Sequence, residues 1–284
     1  MTILQKQDIA DIAGNLAAYD RKLQSILGCG LRELALKSTG KDPDSFDEKS
    51  FSKHVAIVPM TCGKGLIPGF SETLQSIARH LGFSAYVTRS TDAAGVAEAF
   101  ESGADILLQA DDDRYTAIDL RGRRVVDNSE ATGAGFATGL ALMAGGVERR
   151  GVLVIGCGPV GRSAAATLYA KGGRIALFDI DPDAARKAAA SIQAAAHGLP
   201  LTVEKDLRCA FRQYSLVLDA TPTAAFIDCG DICEETIIAA PGVPLGVTGA
   251  AVRRLGRRLL HDPLQIGTAT MLLDAAMNVP PARL

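Results

Sequence analysis

The chain has 284 residues, of which 48% are apolar and 22% are charged. A chain of this size can bury a large core, and its length predicts roughly two domains. The apolar content excludes an intrinsically disordered protein, which cannot bury enough apolar surface to offset its ordering entropy. The 30 basic and 32 acidic side chains leave a net charge of −2. Proteins that bind nucleic acids usually carry a basic surface, so we expect no nucleic-acid partner.

The six cysteines are scattered along the chain and do not form the paired CxxC spacing of a zinc site. We therefore expect reduced thiols and no metal. The first residues, MTILQKQDIADIAG, lack the basic and apolar regions of a secretion signal. No apolar run approaches the ~20 residues of a membrane-spanning helix. Together these features predict a soluble, cytoplasmic protein with no membrane partner.

The first half of the chain begins with a helix and continues as alternating strands and helices. Apolar residues recur at steps of three and four from Ile9 to Ile26, which predicts an amphipathic helix ending near Gly28. Residues 38–53 are polar and read as a connection. The elements predicted after it are strands over 54–59, 85–88 and 104–110, helices over 70–81 and 93–101, an edge hairpin at 121–126 and a helix over 132–143. This alternation is typical of a parallel sheet covered by helices.

The second half continues the alternation more regularly. The predicted elements are strands over 152–155, 174–178, 216–220, 236–239, 243–247 and 258–261, and helices over 160–170, 183–196 and 268–277. The sequence therefore predicts an α/β fold of two domains. Residues 1–130 form a helical and α/β substrate domain, 131–146 a linking helix, and 147–284 a C-terminal Rossmann domain with a closing helix.

A glycine-rich turn follows the first strand of the second half. The hexapeptide GCGPVG, residues 156–161, has the G-x-G-x-x-G form and opens a helix. Gly156 permits the tight turn, Gly158 lets the backbone approach a pyrophosphate, and Gly161 allows close packing of helix on strand. Pro159 and Val160 begin the helix, whose free N–H groups suit phosphates. This context predicts a dinucleotide site.

Asp179 lies eighteen residues after Gly161, at the end of the next strand. Its carboxylate would accept hydrogen bonds from ribose hydroxyls and repel a 2′-phosphate, which favours NAD over NADP. Thr221, Pro222 and Gly242 follow later strands and are candidate walls of the nicotinamide pocket. Plain turn formation explains each of these three residues equally well.

The first half offers carboxylates at the end of its third strand. Asp111, Asp112 and Asp113 follow the run ADILLQA and would suit a substrate ammonium group. Helix capping or a solvated turn is the alternative for Asp112 and Asp113. Glycines in the segment MTCGKGLIPG would direct backbone N–H groups toward an anion such as a substrate carboxylate. For Ser71, which follows this segment, capping of the next helix is the alternative to a role in binding.

Several stretches together resemble one dehydrogenase family. They are VAIVPMTCGKGLIPGFSETLQSIARHLGF, GADILLQADDD, VIGCGPVG, LDATPTA and DPLQIGTATML. Their order and spacing resemble the PylD family of NAD-dependent dehydrogenases, which complete pyrrolysine biosynthesis. The resemblance implies a small-molecule substrate, 3-methyl-D-ornithyl-N6-L-lysine, whose terminal amine carbon is oxidised by NAD. The ornithyl α-amine would then close a five-membered ring with loss of ammonia.

The resemblance also implies roles for particular residues. Asp111 and Asn128 carry over to the catalytic cleft. The residues that would contact the substrate or shape its pocket are Leu4, Cys62, Ser71, Glu72 and Asp262. Two of these depart from the family pattern, which has a small hydroxyl residue in place of Cys62 and Glu in place of Asp262. Many such dehydrogenases are dimers, so a homodimer is expected.

Two other functions remain open at this stage. One is a different two-domain NAD-dependent dehydrogenase that acts on a simple amino acid or hydroxy acid. The other is a non-catalytic NAD-binding protein. Such a scaffold would have no evident use for the carboxylates that follow the third strand of the first domain.

Overall fold

The computed structural model describes residues 4–40, 51–63, 65–195 and 201–277. The strands are β1 (His54–Val58), β2 (Ser84–Val87), β3 (Ile106–Ala110), β4 (Tyr115–Asp119), β5 (Arg124–Asp127), β6 (Gly151–Ile155), β7 (Arg174–Phe178), β8 (Thr202–Val203), β9 (Leu216–Asp219), β10 (Ile237–Ala240) and β11 (Leu259–His261). The α-helices are α1 (Lys6–Ile9), α2 (Ile12–Leu27), α3 (Leu31–Ser38), α4 (Phe70–His80), α5 (Asp92–Glu101), α6 (Asn128–Met143), α7 (Pro159–Ala170), α8 (Pro182–Ala195), α9 (Leu207–Gln213), α10 (Gly249–Leu255) and α11 (Gln265–Ala276).

The first sheet has five strands in the order β2-β1-β3-β4-β5. Strands β1, β2 and β3 are parallel, with Ala56 opposite Leu107, and β4 and β5 form an antiparallel hairpin on one edge. The predicted edge hairpin is therefore confirmed. The carboxyl ends of β1 and β3 lie at the same edge of the sheet, so the segments that follow Val58 and Ala110 come together there.

The second sheet has six parallel strands in the order β11-β10-β9-β6-β7-β8. Its central strands are continuous apolar runs because helices cover both faces, as in Val152–Ile155 and Leu216–Leu218, which are fully buried. Ile155 pairs with Phe178 on one side and with Asp219 on the other. The glycine-rich turn after β6 therefore lies between the ends of β7 and β9. This topology confirms the predicted α/β fold with a Rossmann-type second sheet.

Two sequence-based expectations need correction. The strand predicted over 243–247 is wrong, because Pro244 cannot donate to a sheet and only Val247 forms a bridge, to Ile227. The single helix predicted from Ile9 is also wrong at its start, since α1 ends at Ile9 and α2 begins at Ile12. The expected end near Gly28 is confirmed, because Gly28 adopts a left-handed conformation that closes α2.

Helix α6 lies between the two sheets and is rich in glycine and alanine. A Cβ on Gly133 would lie 2.4 Å from the backbone oxygen of Val160 in α7, and one on Gly139 would lie 2.4 Å from Cδ2 of Leu260 on β11. A Cβ on Gly135 would lie 2.5 Å from Ile266 of α11. The absence of side chains at these positions lets three other elements pack directly against the α6 backbone.

Helix α11 packs against both halves of the chain. It contacts α6, and on its other side it contacts α3, α4 and the β4–β5 hairpin. Arg124 of β5 pairs with Asp274 of α11. The domain boundaries at residues 130 and 147 stay a prediction, and the closing helix assigned there to the second domain also contacts α3, α4, β4 and β5 of the first half. None of the described helices has the length and apolarity needed to cross a bilayer.

Replacing Gly133 with Ala should destabilise the protein, because the new methyl group would meet the α7 backbone at 2.4 Å. We expect a loss of about 1–3 kcal/mol in the free energy of unfolding, measured by urea denaturation. Gly14→Ala is the matched control: Gly14 is exposed in α2 with no atom near the added methyl group. That change should stabilise the protein by about 0.5–1 kcal/mol. Equal effects of the two substitutions would contradict the close packing of α6 on α7.

Candidate active site

The glycine-rich turn has the geometry that a dinucleotide requires. Gly156 ends β6 with a φ of 86°, a backbone conformation that favours glycine. A Cβ on Gly161 would lie 1.8 Å from the Gly156 oxygen, so helix α7 packs tightly on the strand. Gly158 precedes α7 with open space beside its Cα and no side-chain cap, and Pro159 is the first residue of the helix. The turn thus leaves room and free N–H groups for a pyrophosphate.

Asp179 lies directly after β7, beside this turn. Its Oδ2 accepts a hydrogen bond from the Cys157 N–H at 2.6 Å, and its Oδ1 accepts one from the Asp181 N–H at 2.9 Å. These bonds fix the carboxylate where the ribose of a dinucleotide would lie. Burial, with a smaller contribution from Asp179, raises the pKa of Cys157 to about 12. Cys157 therefore stays a neutral thiol.

The three predicted nicotinamide-pocket residues meet at the ends of β9 and β10. Thr221 donates from its N–H and Oγ1 to the Asp219 carboxylate, at 3.0 and 2.8 Å. A Cβ on Gly242 would lie 2.0 Å from the Thr221 oxygen, so the two loops touch. Pro222 is exposed in the same turn. These residues do not line the cavity described next, although Pro241 and Val243 beside Gly242 do.

A cavity of about 220 Å³ lies where the two halves of the chain meet. Its walls include Val160 at the start of the dinucleotide helix and Pro241 from the second sheet. The opposite wall comes from the ends of β1 and β3 and the beginnings of α4 and α6. The residues expected at the active site that line it are Leu4, Cys62, Ser71, Asp111 and Asn128. The structure thus brings together five of the seven residues that the resemblance assigns to the catalytic cleft and the substrate pocket.

Asp111 follows β3 in the turn that leads to β4. Its Oδ1 accepts hydrogen bonds from the N–H groups of Asp113 and Arg114, at 2.9 and 2.7 Å. Its own N–H donates to the Arg114 oxygen at 2.9 Å. This network fixes the carboxylate beside the cavity, and no described side chain pairs with it, which suits an acceptor for a substrate amine.

Asn128 is the first residue of α6, whose N-cap Asp127 accepts from the Ser129 N–H at 2.8 Å. The side-chain Oδ1 of Asn128 is buried and has no hydrogen-bond partner among the described residues. Gly267 of α11 leaves space beside it, since a Cβ there would lie 2.9 Å from this oxygen. A buried acceptor without a donor is costly, so this oxygen can accept a hydrogen bond from a group that enters the cavity.

Two residues that the resemblance assigns to the substrate pocket lie outside the cavity walls. Glu72 is exposed in the first turn of α4. Asp262 is buried, and its Oδ1 accepts from the N–H groups of Leu264 and Ile266 at the start of α11. Burial raises the pKa of Asp262 above its usual range, although these hydrogen bonds and the nearby Tyr19 hydroxyl lower it in part. Neither the Tyr19 hydroxyl nor Oδ2 of Asp262 has a partner of normal hydrogen-bond geometry among the described residues.

The sequence did not point to Tyr115, which lines the cavity beside Asp111. Its hydroxyl lies 3.0 Å from Oγ1 of Thr268 in α11, and its ring packs edge-on against Phe70. Burial raises the pKa of Tyr115, so the phenol stays neutral. The sequence feature that could have indicated Tyr115 is its position two residues after the DDD segment. In the described part of the chain, no group of three or more His, Cys, Asp or Glu side chains is placed to bind a metal ion.

Comparisons with known proteins show the family of this chain. Residues 8–126 match the family model of the N-terminal domain of the pyrrolysine biosynthesis protein PylD. Two relatives named pyrrolysine synthase, from Methanosarcina acetivorans and Methanosarcina barkeri, are 30% and 29% identical over 272 residues. These alignments cover 96% of this chain and 98% and 97% of the relatives. This chain belongs to the PylD family.

The second half of this PylD-family chain matches a more general dehydrogenase model. Residues 129–222 match the C-terminal domain of alanine dehydrogenase and PNT. Among solved structures, quinate dehydrogenase from Corynebacterium glutamicum in complex with NAD has a TM-score of 0.54 at 15% identity, over 81% of this chain and 95% of that one. Shikimate 5-dehydrogenase from Thermus thermophilus in complex with NADP(H) and shikimate has a TM-score of 0.51 at 15% identity, with the same coverage. Both similarities establish a shared dehydrogenase fold.

The buried acid at Asp262 gives a stability prediction with a definite sign. Its pKa is raised in the folded protein, so ionisation disfavours folding, and the penalty grows as pH rises above the unfolded value of about 3.9. Asp262→Asn keeps an oxygen for the Leu264 and Ile266 N–H groups and carries no charge. We expect it to be more stable than the wild type by roughly 1–3 kcal/mol at neutral pH, and by less near pH 4, in urea denaturation. Asp262→Ala, which loses the acceptor, should be less stable than Asp262→Asn at every pH, and an Asn variant that never exceeds the wild type would contradict this account.

Proposed function

We propose that the chain catalyses the last step of pyrrolysine biosynthesis. In this reaction the terminal amine carbon of 3-methyl-D-ornithyl-N6-L-lysine would be oxidised to an imine, with NAD⁺ as the hydride acceptor. The ornithyl α-amine then attacks the imine carbon, ammonia leaves, and a pyrroline ring remains. The atoms balance because the carbon loses one hydride, the nitrogen loses one proton, and the displaced nitrogen departs as ammonia.

The observation that supports this proposal most strongly is the shared cavity. Asp111 and Asn128 from one half of the chain and Val160 from the dinucleotide helix line the same space. Hydride transfer requires an amine carbon to lie against a dinucleotide, so the substrate groups and the cofactor helix must face one another. The PylD relatives carry the name pyrrolysine synthase, which agrees with this use of the cavity.

Asp111 is the proposed proton acceptor. A terminal ammonium must lose a proton before its carbon can give up a hydride, and a carboxylate held beside the cavity can take that proton. Asn128 supplies a buried oxygen that accepts a hydrogen bond from the same nitrogen or from the ornithyl α-amine. Fixing both nitrogens promotes ring closure, because an intramolecular attack depends mainly on orientation.

The lysine end of the substrate carries a carboxylate and an α-ammonium. Helix α4 begins at Phe70 without a side-chain cap, and its neighbour Ser71 lines the cavity. The free backbone N–H groups in the first turn of α4 and the Ser71 hydroxyl are the proposed contacts for the substrate carboxylate. Cys62, Leu4 and the apolar walls would contact the aliphatic part of the substrate. Glu72 and Asp262 remain proposed contributors, with Asp262 acting through the Pro263–Leu264 wall rather than by contact.

The dinucleotide site fits NAD. When bound, NAD⁺ supplies the hydride acceptor. Gly156, Gly158 and Gly161 provide the turn and the free N–H groups for its pyrophosphate, and Asp179 provides a fixed carboxylate for its ribose. That carboxylate opposes a 2′-phosphate, which supports NAD over NADP. Thr221, Pro222 and Gly242 are the proposed boundary of the nicotinamide end. The cytoplasmic location and the homodimer stay predictions.

The reaction is tested with purified protein, NAD⁺ and the ornithyl-lysine isopeptide. The proposal predicts one NADH and one ammonia for each substrate consumed, and a product lighter by one ammonia and two hydrogens, detected by absorbance and mass spectrometry. Turnover of a simple amino acid or hydroxy acid but not of the isopeptide would reject it in favour of a different dehydrogenase. NAD binding without any turnover would indicate a non-catalytic protein.

Asp111→Asn should lower kcat by about 10²–10⁴-fold, because an amide cannot accept the proton of the substrate amine. The KM for the isopeptide should change much less, since the Asn side chain keeps the shape and the turn contacts. Asp113→Asn is the matched control, because Asp113 lies in the same turn but does not line the cavity. Steady-state kinetics that give equal kcat values for the two variants would exclude Asp111 as the proton acceptor.

Asp179→Asn should weaken the preference for NAD over NADP by about tenfold or more, because removing the charge removes the repulsion of the 2′-phosphate. The amide oxygen can still accept from the Cys157 N–H, so the glycine-rich turn should stay in place. Asp183→Asn, which changes an exposed carboxylate paired with Arg186, is the control and should leave the preference unchanged. The measurement is the ratio of kcat/KM for the two cofactors, and an unchanged ratio in Asp179→Asn would contradict this role.

A further inference from the structure

Asp219 is a buried carboxyl group that the proposed chemistry does not use. It ends β9, and its side chain has no exposed surface. Its Oδ1 accepts from the N–H and Oγ1 of Thr221, at 3.0 and 2.8 Å. Its Oδ2 has no hydrogen-bond partner among the described residues. A Cβ on Gly246 would lie 2.0 Å from this oxygen and 2.7 Å from the Phe226 ring, so Gly246 and Phe226 lie beside Oδ2.

This carboxyl group lies where the loops around the dinucleotide site meet. The turn that Asp219 fixes touches the glycine-rich loop, since a Cβ on Gly156 would lie 3.0 Å from the Ala220 oxygen. The same turn touches Gly242, and the 241–246 loop returns to Asp219 at Gly246. Pro241 and Val243 of that loop line the substrate cavity. Through these contacts, a shift of the Asp219 side chain would displace both the glycine-rich loop and the cavity wall formed by the 241–246 loop.

We propose that Asp219 is a positioning residue that holds the 219–222 turn and the 241–246 loop in the arrangement that receives the nicotinamide end of the dinucleotide. This inference rests on the NAD site proposed above. Asp219 touches neither the cavity nor the expected position of the reacting atoms, so it acts through Thr221, Gly242 and Gly246.

The charge state of Asp219 changes close to physiological pH. Burial raises its pKa to about 6, and the Thr221 hydrogen bonds lower it only in part. The strand that ends at Asp219 packs against β6, β10 and helices α6 and α7, and the glycine-rich loop, residues 221–227 and the 241–246 loop lie near its end. The titratable side chains in these segments are Glu130, Cys157, Arg162 and Tyr169, and none of them is among the causes that shift the pKa of Asp219. No described cation compensates the ionised form, so ionisation leaves a bare negative oxygen against Gly246 and Phe226.

Ionisation should therefore loosen the contact between the 219–222 turn and the 241–246 loop. If the dinucleotide binds the form with neutral Asp219, the fraction of competent protein falls as pH rises through the pKa of this group. The apparent dissociation constant rises in inverse proportion to that fraction. Both NAD⁺ and NADH should be affected in the same direction, because the effect comes from loop position and not from the charge of the nicotinamide ring.

The test compares the wild type with Asp219→Asn, whose amide keeps an acceptor for Thr221 and cannot ionise. Dissociation constants for NAD⁺ and NADH are measured by calorimetry between about pH 6 and about pH 8. The wild type should lose affinity for both by about fiftyfold, because the neutral fraction of Asp219 falls from about one half to about one hundredth, whereas Asp219→Asn should keep the low-pH affinity throughout. Asp206→Asn, which replaces an exposed helix cap in the same domain by another good cap, should behave like the wild type.

A second measurement needs no variant. The carboxyl ¹³C resonance of Asp219 is titrated in the free and NADH-saturated wild type, and linkage requires its pKa to be higher in the complex. An equal or lower pKa in the complex would overturn the proposal. Identical pH profiles in wild type and Asp219→Asn, or opposite trends for NAD⁺ and NADH, would overturn it as well. Absence of dinucleotide binding at every pH would overturn the proposed NAD site too, whereas a pH-independent affinity overturns only the role of Asp219.

Discussion

The structure depends on one helix, α6, that other elements can approach to backbone contact. Gly133 lets it meet the first turn of α7, and Gly135 lets it meet α11. Ser163 of α7 also donates to the Glu130 oxygen at 2.7 Å, which ties the two helices near their N-terminal ends. Because close-packed interfaces do not deform gradually, the first turn of α6 and the first turn of α7 keep a fixed relation. The first turn of α6 carries Asn128, and the first turn of α7 carries the N–H groups proposed to bind the pyrophosphate.

This constraint explains how two separate sheets can build one reaction site. Each sheet delivers its loops at the carboxyl ends of its parallel strands, where ligands of α/β proteins bind. Helix α6 sets those two edges against each other, so that Asp111 and Val160 face a common cavity. Two buried acids, Asp219 and Asp262, lie behind the walls of this site and are held by N–H groups rather than by cations. Burial raises the pKa of both carboxyl groups above the usual range.

Local patterns in the sequence predicted the local parts of this arrangement. The strand, glycine turn and helix at 151–170 follow from residue types a few positions apart, as does the carboxylate after β7. Contacts between distant segments could not be read in this way. The space for Asn128 depends on Gly267, and the orientation of Tyr115 depends on Thr268, each more than a hundred residues away. The surroundings of Asp262 have the same origin, because it lies beside Tyr19, which is far away in the sequence. The strand predicted at 243–247 failed for a local reason, since Pro244 cannot donate to a sheet.

The central claim is that the cavity brings the terminal amine carbon of the isopeptide against the dinucleotide. Its most direct test uses isopeptide carrying two deuterium atoms on that carbon, with unlabelled NAD⁺ and the purified protein. The account predicts that the reduced cofactor gains one deuterium and the pyrroline product keeps one, as read by mass spectrometry. Reduced cofactor without deuterium would contradict it, because the hydride would then come from another carbon.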